Sequence, residues 1–215
     1  MIDLSSFQET FRAAVGKSWG NLDTRDDLVH LLFPDDTQAN ADDMAGSQSN
    51  CGTSAMGNLR LLGVDGTVTR FRGKASCDPL AEAYAGHYDA IQYLITLGQQ
   101  RGIWQVPVNG EVPAVEPGCI LQIGGSAQTG GAAHILAITD TSILDGQGQG
   151  FETVEGGQVD PKNPKPSPKN CTLIALRQRS IYERPGDGWW LRTMGSSDPG
   201  RKINGFFQAL ALSTR

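Results

Sequence analysis

The spacing of apolar residues changes partway along the chain, and that change constrains the fold more than any other feature. In the first half they recur every three or four positions, the period of a helix face; from about residue 118 they come in short runs or alternate. Phe7, Phe11 and Val15 stand four apart behind Ser5 or Ser6, either of which can cap a helix, and Gly16 ends the stripe. Thr24 can cap a second helix over residues 25–33, which Pro34 stops. DDTQANADDMAGSQSN is polar and aperiodic, hence a loop. A third helix opens at Cys51, with Ala55, Met56, Leu59 and Leu62 on one face and Gly63 as its stop. The longest predicted helix covers about 79–97, with Leu80, Ala83, Tyr84, Ile91, Leu94 and Ile95 on its apolar side.

The second half predicts strands. Pro117-Gly118 is a turn and CILQI an apolar run; GGSAQTGGA is a flexible loop that leads into HILAIT. FETVE alternates and is placed to pair with HILAIT. DPKNPKPSPKN holds no core-forming residue and reads as an exposed loop. TLIALRQRSI, WWLRTM and INGFFQALAL complete the set. Helices first and strands afterwards mean an α+β fold with N-terminal helices packed on a C-terminal antiparallel sheet, not a doubly wound one.

Composition narrows the function. The 215 residues suit one domain, and a chain of this length buries roughly 70% of its unfolded surface without a metal or disulfide staple. Eighteen basic residues against 23 acidic ones give a net charge of −5, which argues against a nucleic-acid partner. No stretch approaches the ~20 apolar residues of a membrane span. MIDLSSFQETF has neither the basic nor the apolar region of a signal peptide. Cys51, Cys77, Cys119 and Cys171 form no C-x-x-C pair, so no zinc site is expected, and their spacing leaves the disulfide state open.

Cys51 is the most informative of the four. It follows Gln48, Ser49 and Asn50 and opens a helix, where free N–H groups and the helix dipole favour a thiolate. A nucleophilic cysteine needs that setting; a buried, inert cysteine at a helix start is the plainer alternative. Of the three histidines, His30 sits among apolar residues of a short helix and His87 on the apolar side of the long one, both readable as packing residues. His134 enters an apolar strand straight after a Gly-rich loop, where a rigid strand can aim it at a cleft. The group that orients its ring should be a carboxylate or amide on a neighbouring strand. Glu155, at the end of FETVE, fits best, with Gln158 and Asp140 as competitors; Asp140 falls at the far end of the His134 strand. Trp189-Trp190 reads as a core or strand-edge pair, or as part of a binding surface.

A cysteine opening a helix, a Pro-Gly turn before a strand, a histidine opening the next strand and then a Glu-Gly step together resemble the papain-like cell-wall hydrolases, the CHAP amidase/peptidase group and its NlpC-type relatives. The matching stretches are SNCGTSAMGNLRLLGV, EPGCILQI, AHILAIT and TVEGGQ, with RKINGFFQAL similar to a closing strand. The sequence departs at Asn50, where Asp or Gln is common, at Cys119, where an acidic residue is usual, at EGGQ in place of EGN, and at the Pro/Lys segment 160–169, which looks inserted.

The resemblance implies one papain-like domain over 1–215, with a helical N-terminal extension over 1–46 and a catalytic core over 47–215. It implies a cysteine peptidase or amidase, with Cys51 as nucleophile, His134 as base and acid, and Glu155 as orienting group. Gln48, Asn50 and Gln158 are then candidates for the oxyanion or substrate. No metal or organic cofactor is needed. Peptidoglycan or a peptide is the implied substrate, reached by delivery to the envelope without a signal peptide. A monomer is expected, and an inhibitor or immunity protein is an allowed partner. Acyl transfer on a protein substrate, or partner binding without catalysis, are the rival readings. An acidic protein gains no long-range steering toward an acidic wall polymer.

Overall fold

The computed structural model describes residues 4–34, 50–64, 90–124, 134–142, 150–159 and 171–213. Helix α1, Leu4–Ala13, buries Phe7 and Phe11 with their rings stacked at 5.9 Å, and Gly16 leaves it with φ +83°. Ser5 and Ser6 lie inside its first turn and do not cap it. Helix α2, Leu22–Leu32, is capped by Asn21, whose side chain accepts from the Asp23 N–H at 2.9 Å. The expected cap, Thr24, instead turns back to Ser18, donating to its carbonyl and accepting from its N–H, both at 3.1 Å. Helix α3, Asn50–Leu61, buries Ala55, Met56 and Leu59, and Gly63 ends it at φ +76°. Helix α4, Ala90–Gln100, is the second half of the long predicted helix; Leu80, Ala83, Tyr84 and His87 lie outside the described residues.

Among the described residues six strands follow: β1 Cys119–Ile123, β2 His134–Asp140, β3 Gly150–Val159, β4 Cys171–Arg184, β5 Gly188–Thr193 and β6 Arg201–Gln208. Each pairs antiparallel with the next, and β6 pairs back onto β1, so the sheet closes into a barrel. The final predicted run ends as a short helix, α5, Leu210–Ser213. The fold is therefore α+β with an antiparallel sheet, and closure removes the free edges an open sheet would leave.

Alternation along each strand sorts two cores. Leu121, Ile123, Leu136, Ile138, Phe151, Leu191 and Phe206 fill the barrel. Ile120, Ile135, Ala137, Val154, Ile174 and Phe207 point the other way, into a cluster with Phe7, Phe11, Leu28, Leu32, Leu59 and Leu94 from the helices. Helix α3 lies against β2 and β3. That contact brings the helix carrying Cys51 to the strands carrying His134 and Glu155. No described helix is long and apolar enough to cross a membrane.

Candidate functional site

Cys51 is the second residue of α3, and the first four N–H groups of a helix have no intrahelical acceptor. Its backbone N–H is thus a donor at the positive end of the helix dipole. The residue is nearly covered, at 8% exposure.

His134 is the first residue of β2. It shares a strand face with Leu136 and Ile138, so its ring stands at the rim of the barrel interior. Its Nε2 lies 3.1 Å from Glu155 Oε2, and its side chain shares a hydrogen bond with Cys51. The tautomer follows from the partners. Glu155 also accepts from Thr153 Oγ1 at 2.6 Å and from Arg179 Nε and Nη2, each at 2.7 Å, so it is an anionic acceptor. Nε2 must then carry the proton it donates to Glu155. Nδ1 is left as the nitrogen that meets the thiol.

Gln158 reaches the same point through a bulge. Glu155 pairs with Ala175 and Gln158 with Leu173, so Gly156 and Gly157 on β3 together oppose Ile174 on β4. This extra residue re-aims the strand and returns Gln158 to the face of Glu155. Its Nε2 donates to Glu155 Oε2 at 3.3 Å and sits 3.3 Å from His134 Nε2. Glu155 and Gln158, alternatives in the sequence, therefore both border the histidine. Asp140 does not: it takes Arg12 Nη2 at 3.1 Å and the Ser142 N–H at 2.8 Å, while Arg12 Nε bonds Glu152 at 2.8 Å. Those contacts tie α1 to the opposite end of β2 and β3.

Burial would lower the proton affinity of His134, but hydrogen bonds to Cys51 and Glu155, with their charges, outweigh it and raise the pKa to about 9. Burial would raise Glu155, yet His134 and Arg179 hold its carboxyl well below the usual glutamate range. Both shifts favour an imidazolium against a carboxylate. A thiol beside that pair can pass its proton to His134 and attack an electrophilic carbon.

Three participants escape the sequence. Arg179, Thr153 and the bulge glycines matter only through strand register; the double glycine inside an alternating run was the one local sign of a bulge. Of the other expected residues, Asn50 opens α3 but its side chain is not described, and Gln48 and His87 lie outside the described residues. His30 is exposed on α2. Trp189 fills the barrel and donates to the Val108 carbonyl at 2.9 Å, whereas Trp190 lies under the Arg184 guanidinium at 3.6 Å. Among the described residues no group of three or more His, Cys, Asp or Glu is arranged to hold a metal ion.

No protein-family model matches the sequence, and no curated protein or solved structure matches it.

Proposed function

We propose that this chain is a cysteine hydrolase with a papain-like fold of the CHAP/NlpC type, cleaving an amide or peptide bond, with bacterial peptidoglycan as the substrate. One observation carries the reading: Cys51 at a helix start shares a hydrogen bond with His134, whose far nitrogen is held by the anionic Glu155. A structural cysteine has no need of a backed histidine.

In this reading His134 Nδ1 accepts the thiol proton, and Cys51 Sγ attacks the carbonyl carbon. The Cys51 N–H stabilises the oxyanion. The C–N bond then breaks, with His134 returning the proton to the departing amine and leaving a thioester. Water, deprotonated by the same nitrogen, attacks that thioester and releases the acid, restoring the thiol. Glu155 keeps the ring in the tautomer both half-reactions require.

The test is digestion of purified peptidoglycan, with soluble fragments identified by mass spectrometry and Cys51→Ala run alongside. Release of amide-cleaved fragments by the wild type but not the variant is expected. No release, with Cys51 still fast to alkylate, overturns the wall substrate and leaves acyl transfer on a protein. Slow alkylation as well overturns the enzyme reading.

A further inference from the structure

Glu155 is wholly buried beneath His134, and the residue that closes on it from below has no part in the steps above. Arg179 places Nε on Oε1 and Nη2 on Oε2, each at 2.7 Å, a two-pronged pair, while its Nη1 donates to Thr193 Oγ1 at 2.7 Å. Arg179 is thus fixed at all three nitrogens by β3 and β5. With the Cys51 proton on His134, as in the reading above, the charges run thiolate, imidazolium, carboxylate, guanidinium, alternating in sign and summing to zero. Without the guanidinium, a reactive thiolate–imidazolium pair would sit beside a buried negative charge it only partly compensates, and buried net charge is costly.

Among the described residues, no other charge competes for this role. On α3, Arg60 is in the last turn, away from Cys51 at the first. On β2 and β3, Asp140 and Glu152 are taken by Arg12 at the other end of the strands. On β4, Arg177 is exposed, and on β5 the exposed Arg192 bonds Ser180 Oγ at 3.2 Å.

We propose that Arg179 is a positioning residue that acts through Glu155: it locks the carboxylate under His134 and offsets its charge, and so sets the pH range in which Cys51 and His134 exist as a thiolate–imidazolium pair. The proposal rests on the Cys51–His134 dyad described above. The direction follows from electrostatics. A carboxylate near the dyad makes both the thiol and the imidazolium hold their protons more tightly; a cation behind it makes both release them more easily. Neutralising Arg179 therefore moves both boundaries of the reactive range to higher pH.

The experiment follows the rate of iodoacetamide alkylation of Cys51 against pH, read on its own peptide by mass spectrometry, in the full chain. The wild type should show a limb well below an ordinary thiol, near pH 8.5 for a free cysteine, and a second limb where His134 deprotonates. Arg179→Met should shift both limbs up by about one unit, which slows reaction on the lower limb about tenfold. Arg179→Lys should keep the limbs near their wild-type positions, with a lower plateau. Limbs that stay in place in Arg179→Met, whatever the plateau does, overturn the proposal. If Arg179→Met does not fold, the charge is removed as Arg179→Gln, whose amide can still donate toward Glu155. It must raise both limbs relative to the wild type, and unmoved limbs again overturn the proposal. A wild-type Cys51 with the single limb of an ordinary thiol instead overturns the dyad itself.

Discussion

Gly157 lies directly against Cys51: a Cβ built on it would stand 3.2 Å from the Cys51 backbone nitrogen and 3.3 Å from the Cys51 Cβ. Its φ is +72°, in the left-handed region where a side chain costs roughly 1–2 kcal/mol. Both facts call for glycine, one for the backbone and one for the space beside Cys51. Gly157→Ala should lose about that much stability in urea unfolding, and Cys51-dependent turnover should fall by about a hundredfold through displacement of the thiol. A variant with unchanged turnover would show that the space beside Cys51 is not used.

Cys119 supplies an internal control for thiol reactivity. It is fully buried inside the barrel, and burial pushes its thiol far above the ordinary range. In the native chain near neutral pH, Cys51 should be alkylated and Cys119 left intact; Cys119 should react only once denaturant opens the barrel. Peptide mapping after timed labelling reads both. Labelling of Cys119 ahead of Cys51 would contradict the placement of both residues.

Stability should depend on pH at both ends. Glu155 is depressed from 4.5, so its contribution is complete above that value and is lost as pH falls below it toward the folded-state value. His134 is raised from 6.5 to about 9, so its contribution is complete below 6.5 and is lost as pH rises through 9. Urea midpoints should therefore be highest between these windows, and Glu155→Gln should flatten the acid side. Parallel acid limbs in the two proteins would refute the buried ion pair.

The crossing of α2 and α3 fixes where the Cys51 helix lies. A Cβ on Gly57 would come within 2.7 Å of the Leu32 Cβ. Gly57→Ala forces the helices apart and should cost about 1–3 kcal/mol as overpacking. Reduced Cys51 reactivity in folded protein at low temperature would accompany it if the helix carries the thiol away from His134.

The sequence exposed what depends on local pattern and hid what depends on register. Cys51, His134 and Glu155 were legible because each stands beside a recognisable signal: a helix start, a strand entry and a double glycine, although Glu155 lies in the middle of β3 and not at the strand end that the sequence suggests. Asn21 and Thr24 are both competent caps, and the choice between them was made by the Ser18 backbone, which holds the threonine hydroxyl. Asp140 shares a strand with His134 but stands six residues away, roughly 20 Å along it, and Arg12 claims it from α1. Arg179 looks like any solvated arginine in an alternating strand until the β3–β4 pairing puts it under Glu155. Barrel closure joins β1 to β6, about as non-local a pairing as this half of the chain allows, and no periodicity encodes it.

The paired glycines after Glu155 also make the site sensitive to counting. Side chains alternate across a strand, so a third residue inserted beside them would exchange the inward and outward positions of those that follow and turn Gln158 from His134. Removing one glycine would instead leave Gln158 on the face of Glu155 but abolish the bulge, and with it the close approach of Gly157 to Cys51. Insertion and deletion should therefore fail in different ways: the first changes which side chains the histidine meets, the second straightens the strand where it passes the cysteine.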